Sequence, residues 1–412
     1  MSEIKKVRGF QDIYGEDAKK YRFVVDTARK IFERYNFQEI ILPYVEDVSL
    51  FVRSVGEETD IVQKEMYVFE DKGGRKVALR PEGTASAVRA YIEERLYAKG
   101  GYQKLFYEGA MFRYERPQAG RYRQFHQIGA EIFGVETPLA DAELIKMVKD
   151  ILDSLVIKVR LEINTLGDFE SRKRYIHVLK EFLNKHKDQL CEDCKKRVER
   201  NPLRVLDCKV ETCREITANA PVLTDFLSEE SLQRYEKLKE YLKSMGIDFI
   251  ENPRLVRGLD YYTDTVFEFI TDKIGAQGTV AAGGRYDTLV EQLGGPKTPA
   301  LGFAAGIERL MLLVEKLPKE KPLLAVIPVV SEYNVLAIET ANKLREKDIR
   351  TELLLKEGSM KSKMKLANKI NASFVVFVSE KPELKDMSTG EQEIFENIDD
   401  LIDVLQEKIK EI

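Results

Sequence analysis

Apolar residues recur first at helical spacing and then in the manner of strands. In residues 16–36, apolar residues recur at spacings of three and four, which predicts an amphipathic helix; they are Val24, Ala28, Ile31 and Tyr35. The next stretch, FQEIILPYVED, has the composition of a strand with Pro43 inside it. Because proline has no N–H to donate to a sheet ladder, we expect this strand at a sheet edge or at an interface.

Four β-rich runs follow, separated by turn signals. They are KEMYVFED, GGRKVALRPEG, KLFYEGAMFRYE and RQFHQIGAEIFG, with a helix-like stretch at 84–98 and a PQAG turn between them. The β pattern resumes in LDYYTDTVFEFI and GTVAAGGRYD. This order predicts an α+β domain in which helices flank an antiparallel sheet, and not a doubly wound parallel sheet.

The character of the chain changes at about 168–250. This segment is helical in pattern, rich in Lys, Arg and Glu, and holds all four cysteines, so we interpret it as an insertion into a catalytic domain at 1–320. The charged run VEKLPKEKP then has the composition of a linker. Strand and helix patterns alternate after it, which predicts a separate α/β domain at 322–412 with a small parallel or mixed sheet.

Composition limits the class of protein. The 412 residues are 43% hydrophobic and 33% charged, which suits about two or three folded domains. The net charge is −4, so any site for a polyanion has to be a local patch. The N-terminus lacks the apolar core of a signal peptide, no apolar run reaches the length of a membrane span, and four cysteines are not a secreted disulfide framework. We therefore expect a cytoplasmic protein.

The stretch RYERPQAGRYRQFHQ, residues 113–127, combines arginine with aromatic residues on a predicted hairpin. Arginine keeps its charge and offers a planar fork of donors that suits phosphate oxygens, while Phe125 can stack a nucleobase. The pattern indicates a nucleotide site. A solvated basic hairpin with cross-strand aromatic pairs is the alternative, and this segment alone does not separate the two.

Two other stretches carry candidate chemistry. In LRPEGTASAVRAY, Glu82, Gly83 and Thr84 stand at a predicted helix start, where they either bind an ammonium group or cap the helix. In LVRGLDYYTDTVFEF, Arg257 stands beside an aspartate and two tyrosines. The glycines of AAGGRYD and ALGFAAGIERL let the backbone approach a ligand closely, and the second stretch predicts a helix that begins near Glu308.

Taken together and in this order, these pieces resemble the histidyl-tRNA synthetases of bacterial type, a family of class II aminoacyl-tRNA synthetases. EIILPYVED is similar to the family's first motif, a strand at the dimer interface. FRYERPQAGRYRQFHQIGAEIFG is similar to the second motif and GFAAGIERL to the third, while LVRGLDYYTDTVFEF is similar to the stretch that distinguishes the histidine enzymes. The resemblance covers nearly the whole chain and implies the class II synthetase fold with an anticodon-binding type of domain at its end.

The resemblance implies an ATP-dependent ligase that forms histidyl-adenylate and charges histidine tRNA, working as a homodimer with L-histidine, ATP and Mg²⁺. It assigns catalysis to Arg113 and Arg257. By resemblance, histidine is bound by Glu82, Gly83, Thr84, Gln127, Glu131, Tyr261 and Tyr262. ATP is bound by Arg113, Arg121, Phe125 and Arg309. On the hairpin, Gln118 and Arg123 are expected to read the tRNA acceptor end.

Two features outside the motifs stay open. Cys191-x2-Cys194 and Cys208-x4-Cys213 nearly match a four-cysteine zinc site, although the second spacing is looser than usual. The alternative is a set of ordinary reduced thiols in a helical insertion that contacts tRNA. The segment 356–369 has five lysines against one glutamate, which indicates either a patch for tRNA phosphates or a solvated helix face.

The main competing interpretation is a regulatory paralogue, the synthetase-like subunit of ATP phosphoribosyltransferase, which senses histidine without charging tRNA. The C-terminal α/β pattern argues against it, as does the presence of Arg113, Arg257 and Arg309 together. A synthetase-derived scaffold such as a polymerase accessory protein is a weaker alternative, which the RGLDYY stretch disfavours. One departure from the family pattern is Tyr14-Gly15, where Leu-Pro is more usual.

Overall fold

The computed structural model describes residues 3–57, 59–274 and 278–410. The chain divides into two compact units, Met1–Leu317 and Pro318–Ile412, and each has hydrophobic clusters of its own. Among the described residues, no helix is both long and apolar enough to cross a membrane.

The first unit contains eleven α-helices and eleven strands within the described ranges. Its helices are α1 Glu16–Arg34, α2 Val48–Val55, α3 Thr84–Glu93, α4 Pro138–Ser154, α5 Phe169–Lys185, α6 Glu192–Arg200, α7 Leu203–Leu206, α8 Glu211–Thr217, α9 Glu229–Ser244, α10 Leu289–Gln292 and α11 Ile307–Leu313. Its strands are β1 Gln38–Glu39, β2 Val45–Asp47, β3 Tyr67–Glu70, β4 Lys76–Leu79, β5 Gln103–Phe112, β6 Gln124–Phe133, β7 Arg160–Thr165, β8 Ile250–Glu251, β9 Thr263–Ile270, β10 Thr279–Arg285 and β11 Ala300–Gly306.

Eight of these strands form one sheet in the order β1-β5-β6-β11-β10-β9-β7-β8. Every neighbouring pair from β5 to β7 is antiparallel, and only the outermost strands β1 and β8 run parallel to their neighbours. A smaller sheet has the order β2-β4-β3. The predicted α+β class with an antiparallel sheet and flanking helices is therefore confirmed.

The two faces of the large sheet are covered differently. Strand alternation sends Phe106 of β5 into a core shared with α1, α4 and α9, where its ring stacks on Phe32 at 4.7 Å between centroids. The neighbouring Leu105 and Tyr107 point into the second cluster, which includes α3 and α5. The helix predicted at 16–36 is present as α1, and the predicted Val24, Ala28 and Ile31 are buried in it together with Val25 and Phe32. Tyr35 follows the last helical residue and is only partly buried.

The segment FQEIILPYVED does not form the single strand predicted for it. It is divided into β1, at the edge of the large sheet, and β2, in the small one. Pro43 lies in the break, and the buried Arg80 fills it by donating to the Leu42 and Pro43 carbonyls at 2.9 and 3.3 Å. The chain changes sheets here because Pro43 cannot continue a ladder and Arg80 satisfies the carbonyls that are left.

The segment predicted as an insertion is helical from α5 to α9. Its last helix is not detached from the rest of the unit, because Tyr235, Leu238 and Leu242 of α9 lie in the same core as α4. The short helices α6, α7 and α8, which lie in the cysteine-containing part of the segment, belong to the second cluster, which covers the other face of the sheet. The helices therefore take part in the core around the sheet.

The second unit is built on a five-stranded mixed sheet in the order β13-β12-β14-β15-β16. The first three strands in this order are parallel to each other, and the last two pair in antiparallel fashion. A small parallel or mixed sheet was predicted for this region, and the observed sheet is mixed. Its strands are β12 Leu324–Pro328, β13 Thr351–Leu353, β14 Phe374–Val378, β15 Glu383–Asp386 and β16 Gln392–Ile394. Its helices are α12 Asn334–Glu346, α13 Met360–Lys369 and α14 Ile398–Lys410.

Candidate active site

A cavity of about 230 Å³ lies against the large sheet of the first unit. Small residues of β10 and β11, among them Ala281, Ala282 and Ala304, line part of it. Charged and aromatic side chains line the rest. They are Glu82, Arg113, Glu115, Arg121, Tyr122, Phe125, Arg257, Tyr261, Tyr262, Glu308 and Arg309, and the neutral side chains of Thr84 and Gln127 lie among them.

The predicted hairpin is present and places two arginines in this cavity. β5 and β6 pair from Gln103↔Phe133 to Phe112↔Gln124, and the turn closes where the Gln118 and Arg121 backbones bond each other at 3.0 and 2.9 Å. Arg113 donates from Nε to the Pro81 carbonyl at 2.9 Å, and its guanidinium carbon lies 5.4 Å from the Phe125 ring centre. Burial lowers the pKa of Arg113, and the Glu65 and Glu82 carboxylates oppose that change.

A second arginine group enters from other elements. Arg257 pairs with the Glu268 carboxylate of β9, and its guanidinium carbon lies 5.5 Å from the Tyr262 ring centre. Burial opposes its charge, but Glu268 holds the pKa of Arg257 above its usual value. Arg309 of α11 donates to the Thr279 carbonyl at 2.6 Å. Burial lowers its pKa, as do the nearby charges of Arg121 and Arg113, so positive charge is concentrated in this cavity.

Two buried polar atoms at the cavity lack an internal partner. Within the described part of the chain, Gln127 Oε1 and Arg257 Nε have no hydrogen-bond partner. Both residues line the cavity. Buried polar atoms in folded proteins are nearly always paired, so these two indicate a ligand that supplies the missing bonds.

Glu82 serves as the helix cap that was the alternative for its motif, and it also lines the cavity. Its carboxylate accepts from the Thr84 and Ala85 amides at 2.7 and 2.8 Å, at the first turn of α3. Burial raises the pKa of Glu82, although these two bonds favour the ionised carboxylate and act to lower it. Gly83 does not line the cavity, but a Cβ there would lie 2.3 Å from the Tyr107 ring, so only glycine fits.

Glu131 lies behind the cavity and does not line it. Its fully buried carboxylate accepts from Thr84 Oγ1 and the Tyr107 hydroxyl at 2.9 Å each, and from the Tyr286 hydroxyl. Burial raises the pKa of Glu131 to about 8 in spite of these three bonds. The sequence prediction missed both tyrosines. Strand alternation could have predicted Tyr107. Leu105 lies opposite Glu131 in the register of β5 and β6, and Tyr107, two residues further on, points to the same face of the sheet.

The two residues predicted for the tRNA acceptor end lie on the hairpin but differ in exposure. Gln118 is exposed at the turn. The Arg123 guanidinium carbon lies 3.6 Å from the Tyr114 ring centre, and Nε donates to the Glu115 carbonyl at 3.2 Å. Its stem is covered by Gly9, where a Cβ would approach to 2.7 Å. Arg123 is therefore held against the body of the first unit.

The four cysteines do not belong to this cavity but converge on each other. Their sulfur atoms all lie within 4.8 Å of one another. Among the described residues, one group of three or more cysteine, histidine or acidic side chains lies close enough to share one ion, and these four cysteines form it. All four are free thiols in the structure.

An antiparallel sheet that contains an arginine-bearing hairpin, together with a separate α/β unit, is the plan of the class II aminoacyl-tRNA synthetases. Residues 324–408 of the second unit match the model described as an anticodon binding domain. Residues 9–310 match the model described as histidyl-tRNA synthetase. The chain belongs to the histidyl-tRNA synthetase family, which confirms the family and the enzyme class predicted from the motifs, an ATP-dependent aminoacyl-tRNA ligase.

Similar proteins cover the chain almost from end to end. A histidine–tRNA ligase of Aquifex aeolicus is 57% identical over 94% of this chain and 98% of its own length. One from Caldanaerobacter subterraneus is 48% identical over 98% of this chain and 99% of its own. The solved structure of the apo histidyl-tRNA synthetase of S. aureus is 38% identical, with a TM-score of 0.82 over 98% of this chain and 99% of that one.

The buried carboxyl of Glu131 predicts a specific pH dependence of stability. Burial raises its pKa from 4.5 to about 8, so between these values the folded state keeps a proton that the unfolded state releases. The contribution of Glu131 to the free energy of unfolding is therefore complete below the pKa of the unfolded state. It is lost as the pH rises toward the pKa of the folded state. As the pH rises between these two pKa values, we expect the free energy of unfolding of wild type to fall relative to that of Glu131→Gln. The fall should be at most about 1.4 kcal/mol per pH unit.

Chemical denaturation at several pH values, followed by tyrosine fluorescence, checks this expectation, since the chain has no tryptophan. Glu143→Gln is the control, because that carboxylate pairs with Lys104 at 2.6 Å and its side chain is 42% exposed, unlike the buried Glu131. A wild-type-minus-Glu131→Gln difference that stays constant between about pH 5 and about pH 8 would contradict a buried, protonated Glu131.

Proposed function

We propose that this chain is a histidine–tRNA ligase. It activates L-histidine with ATP to histidyl-adenylate and pyrophosphate, and then transfers histidine to the 3′ end of histidine tRNA. The observation that carries the proposal is that Arg113 and Arg257, from separate elements, line one cavity that also contains Phe125. Two fixed positive charges beside an aromatic ring suit a nucleotide that undergoes attack at phosphorus.

The proposed mechanism needs no general base, because the histidine carboxylate is already ionised near neutral pH. The reaction needs the carboxylate and the α-phosphorus to be held together while negative charge builds up on the phosphate oxygens. Arg113 and Arg257 are proposed to neutralise that charge. Both are held by partners inside the protein, Pro81 and Glu268, so little reorganisation is required during the reaction.

The remaining ATP groups are assigned along the hairpin and α11. Phe125 is proposed to stack the adenine, and Arg121 and Arg309 are proposed to bind the terminal phosphates. In support, both arginines line the cavity, and the charge of Arg121 is one of the influences that lower the pKa of Arg309. A polyphosphate would relieve that mutual repulsion.

Mg²⁺ is implied by the family's reaction, and the cavity suits it only together with ATP. Mg²⁺ takes oxygen ligands, usually one or two carboxylates with phosphates and water. Glu115 and Glu308 line the cavity, but no group of three acidic side chains close enough to share an ion occurs among the described residues. The ion would neutralise charge on the departing pyrophosphate.

Histidine is proposed to bind where α3 begins. Glu82, Thr84 and Gln127 are assigned to its α-amino group, beside the backbone of Gly83, and the unpaired Gln127 Oε1 supports this. Tyr261 and Tyr262 line the cavity and are assigned to the imidazole. Glu131 is assigned to the imidazole as well, and it reaches the ligand either through the Thr84 hydroxyl or by displacing it.

Histidine tRNA is the proposed macromolecular substrate. Gln118 and Arg123 are proposed to meet its acceptor end, and the exposed position of Gln118 at the turn supports its assignment. In the second unit, α13 has lysines at 361, 363, 365 and 369. Lys363 donates to the Pro328 carbonyl at 2.7 Å, so the segment is partly used within the fold. The other lysines are proposed to follow tRNA phosphates.

A homodimer is proposed from the exposed apolar surface near the small sheet. Ile41 is 88% exposed and Tyr44 is 52% exposed, although both are large apolar residues. Val45, Val68 and Phe69 on β2 and β3 are exposed too. Exposed apolar residues grouped in one region mark an interaction surface, and this region contains the motif expected at a dimer interface.

Replacing Arg257 should weaken adenylate formation strongly. We expect Arg257→Gln to lower the rate of histidine-dependent ATP–pyrophosphate exchange on the order of 10²–10³-fold, because one charge that stabilises the transition state is lost. Arg257→Lys should retain more activity, since it keeps the charge but not the fork. A melting curve of each variant establishes that it is folded.

Arg29→Gln is the control for this series. Arg29 pairs with Glu39 through two bonds of 2.7 Å, outside the cavity, so its loss should leave exchange nearly unchanged. Exchange by folded Arg257→Gln at about the wild-type rate would remove Arg257 from the mechanism. Charging of histidine tRNA by wild type tests the second half-reaction in the same preparation.

The dimer surface predicts that a charge at position 41 dissociates the protein. We expect Ile41→Asp to weaken dimerisation by a factor of about ten or more, because a carboxylate would be buried without a partner. Light scattering after gel filtration over a range of concentrations measures this. Leu355→Asp is the matched control, as Leu355 is 83% exposed but lies in the second unit. Equal masses for wild type and both variants would contradict the proposed interface.

A further inference from the structure

Four cysteine sulfurs come together in the helical segment although their residues are spread over three separate turns. Cys191 precedes α6 and Cys194 lies in its first turn, while Cys208 follows α7 and Cys213 lies in α8. Three of the four side chains are buried and Cys191 is partly buried. The chain has no other cysteine, so every thiol of the protein lies in this cluster.

The distances suit metal ligation and do not suit disulfides. Cys191 Sγ and Cys208 Sγ are 3.9 Å apart, far beyond the roughly 2.05 Å of a sulfur–sulfur bond. A tetrahedral zinc with bonds of about 2.3 Å places its sulfur ligands ~3.8 Å from each other. The cluster as a whole spans no more than 4.8 Å between sulfurs, so a small contraction would bring all four to one ion.

The surrounding backbone also fits a thiolate site. The Cys191 amide donates to Cys213 Sγ at 3.2 Å, across the two halves of the cluster. The Cys-x2-Cys pair stands at the start of α6, where the helix dipole favours negative charge. Four ordinary core thiols would need none of these features, since a small apolar residue would fill the same space.

We propose that Cys191, Cys194, Cys208 and Cys213 bind one structural Zn²⁺ as thiolates. All four ligand positions would come from the protein, which leaves no open position for chemistry. The site would close the segment from 191 to 213 into a loop whose ends are fixed together. In a part of the first unit made of short helices, such a closure stabilises the fold directly.

The closed loop carries residues that contact the Arg257 segment. Asn201 donates from Nδ2 to Asp260 Oδ1 at 2.8 Å, and Arg204 Nη1 donates to the Arg257 carbonyl at 3.3 Å. At Gly258, a Cβ would lie only 2.9 Å from Arg204 Nη1, so the two segments are closely packed. The zinc would thus act as a positioning element for the Arg257 backbone, a consequence that rests on the proposed function.

Metal analysis of the whole protein tests the site without any substrate. Protein prepared without an affinity tag should contain about one zinc per chain, and a thiol-modifying reagent should release it. Replacement by Co²⁺ should give the thiolate-to-cobalt absorption of a tetrahedral sulfur site. Wild type that holds no zinc, does not take up Zn²⁺ or Co²⁺ after reduction, and shows four freely reactive thiols would overturn the proposal.

Variants separate loss of the ion from loss of the fold. Cys208→Ser and Cys194→Ser should each lower the zinc content at least tenfold. Val205→Ala is the matched control, because Val205 is fully buried in α7 but offers no ligand, so it should destabilise the segment and still retain zinc. Full zinc content in folded Cys208→Ser would exclude the proposed ligand set.

Hydrogen exchange tests the link to the active site. Removal of zinc by a chelator should increase amide exchange in residues 201–204 and in 255–260, with little change in the second unit. If zinc is bound but its removal leaves exchange at 255–260 unchanged, the ion does not position the Arg257 segment. Because these measurements use neither ATP nor histidine, their failure is distinct from failure of the proposed ligase function.

Discussion

Several guanidinium groups share one partly buried cavity, and the surrounding structure depends on keeping them charged and in place. Burial disfavours a charge unless a partner lies close by, and like charges repel. Each arginine therefore has its own partner inside the protein. Arg257 has Glu268 on β9, and Arg309 has the Thr279 carbonyl on β10. On the hairpin, Arg121 has Glu115, and Arg113 has the Pro81 carbonyl that precedes α3. The cavity consequently forms only when the sheet, the hairpin and α11 are assembled together.

A second layer of residues fixes the beginning of α3. Tyr107 lies so close beneath it that a Cβ at Gly83 or at Gly129 would meet its ring at 2.3 or 2.5 Å. Two glycines thus make room for one large side chain, whose hydroxyl bonds Glu131. Glu131 in turn accepts from the Thr84 hydroxyl, which lines the cavity. The geometry of the proposed histidine pocket is therefore set in part by Tyr107, which does not line the cavity.

Local patterns predicted the elements well, and long-range contacts were the part that they could not supply. Helix α1, the hairpin and the start of α11 follow from spacing and turn residues within a few positions. The division of FQEIILPYVED between two sheets depends on Arg80, some forty residues away, and no local period reveals it. The same holds for Tyr286, which lies 155 positions from the carboxylate that it bonds. Glu131 was placed in the site, but its buried network was not foreseen.

The cysteine cluster shows what spacing can and cannot predict. The pairing of two cysteines at the start of α6 is local and visible in the sequence. The approach of Cys208 and Cys213 to that pair requires the chain to fold back through α7, and the loose second spacing left it undecided. Only the fold shows that all four sulfurs share one place and that the enclosed loop contacts the Arg257 segment.

We propose that one cavity binds ATP and histidine so that Arg113 and Arg257 neutralise the charge on the reacting phosphate. The most direct test is ATP–pyrophosphate exchange by the purified protein, run with each of the twenty amino acids and without tRNA. We expect exchange with histidine alone, because Tyr262 and the Glu131 network are suited to both nitrogens of an imidazole. No exchange with any amino acid, in protein that still binds histidine by calorimetry, would contradict the account and indicate a regulatory histidine sensor.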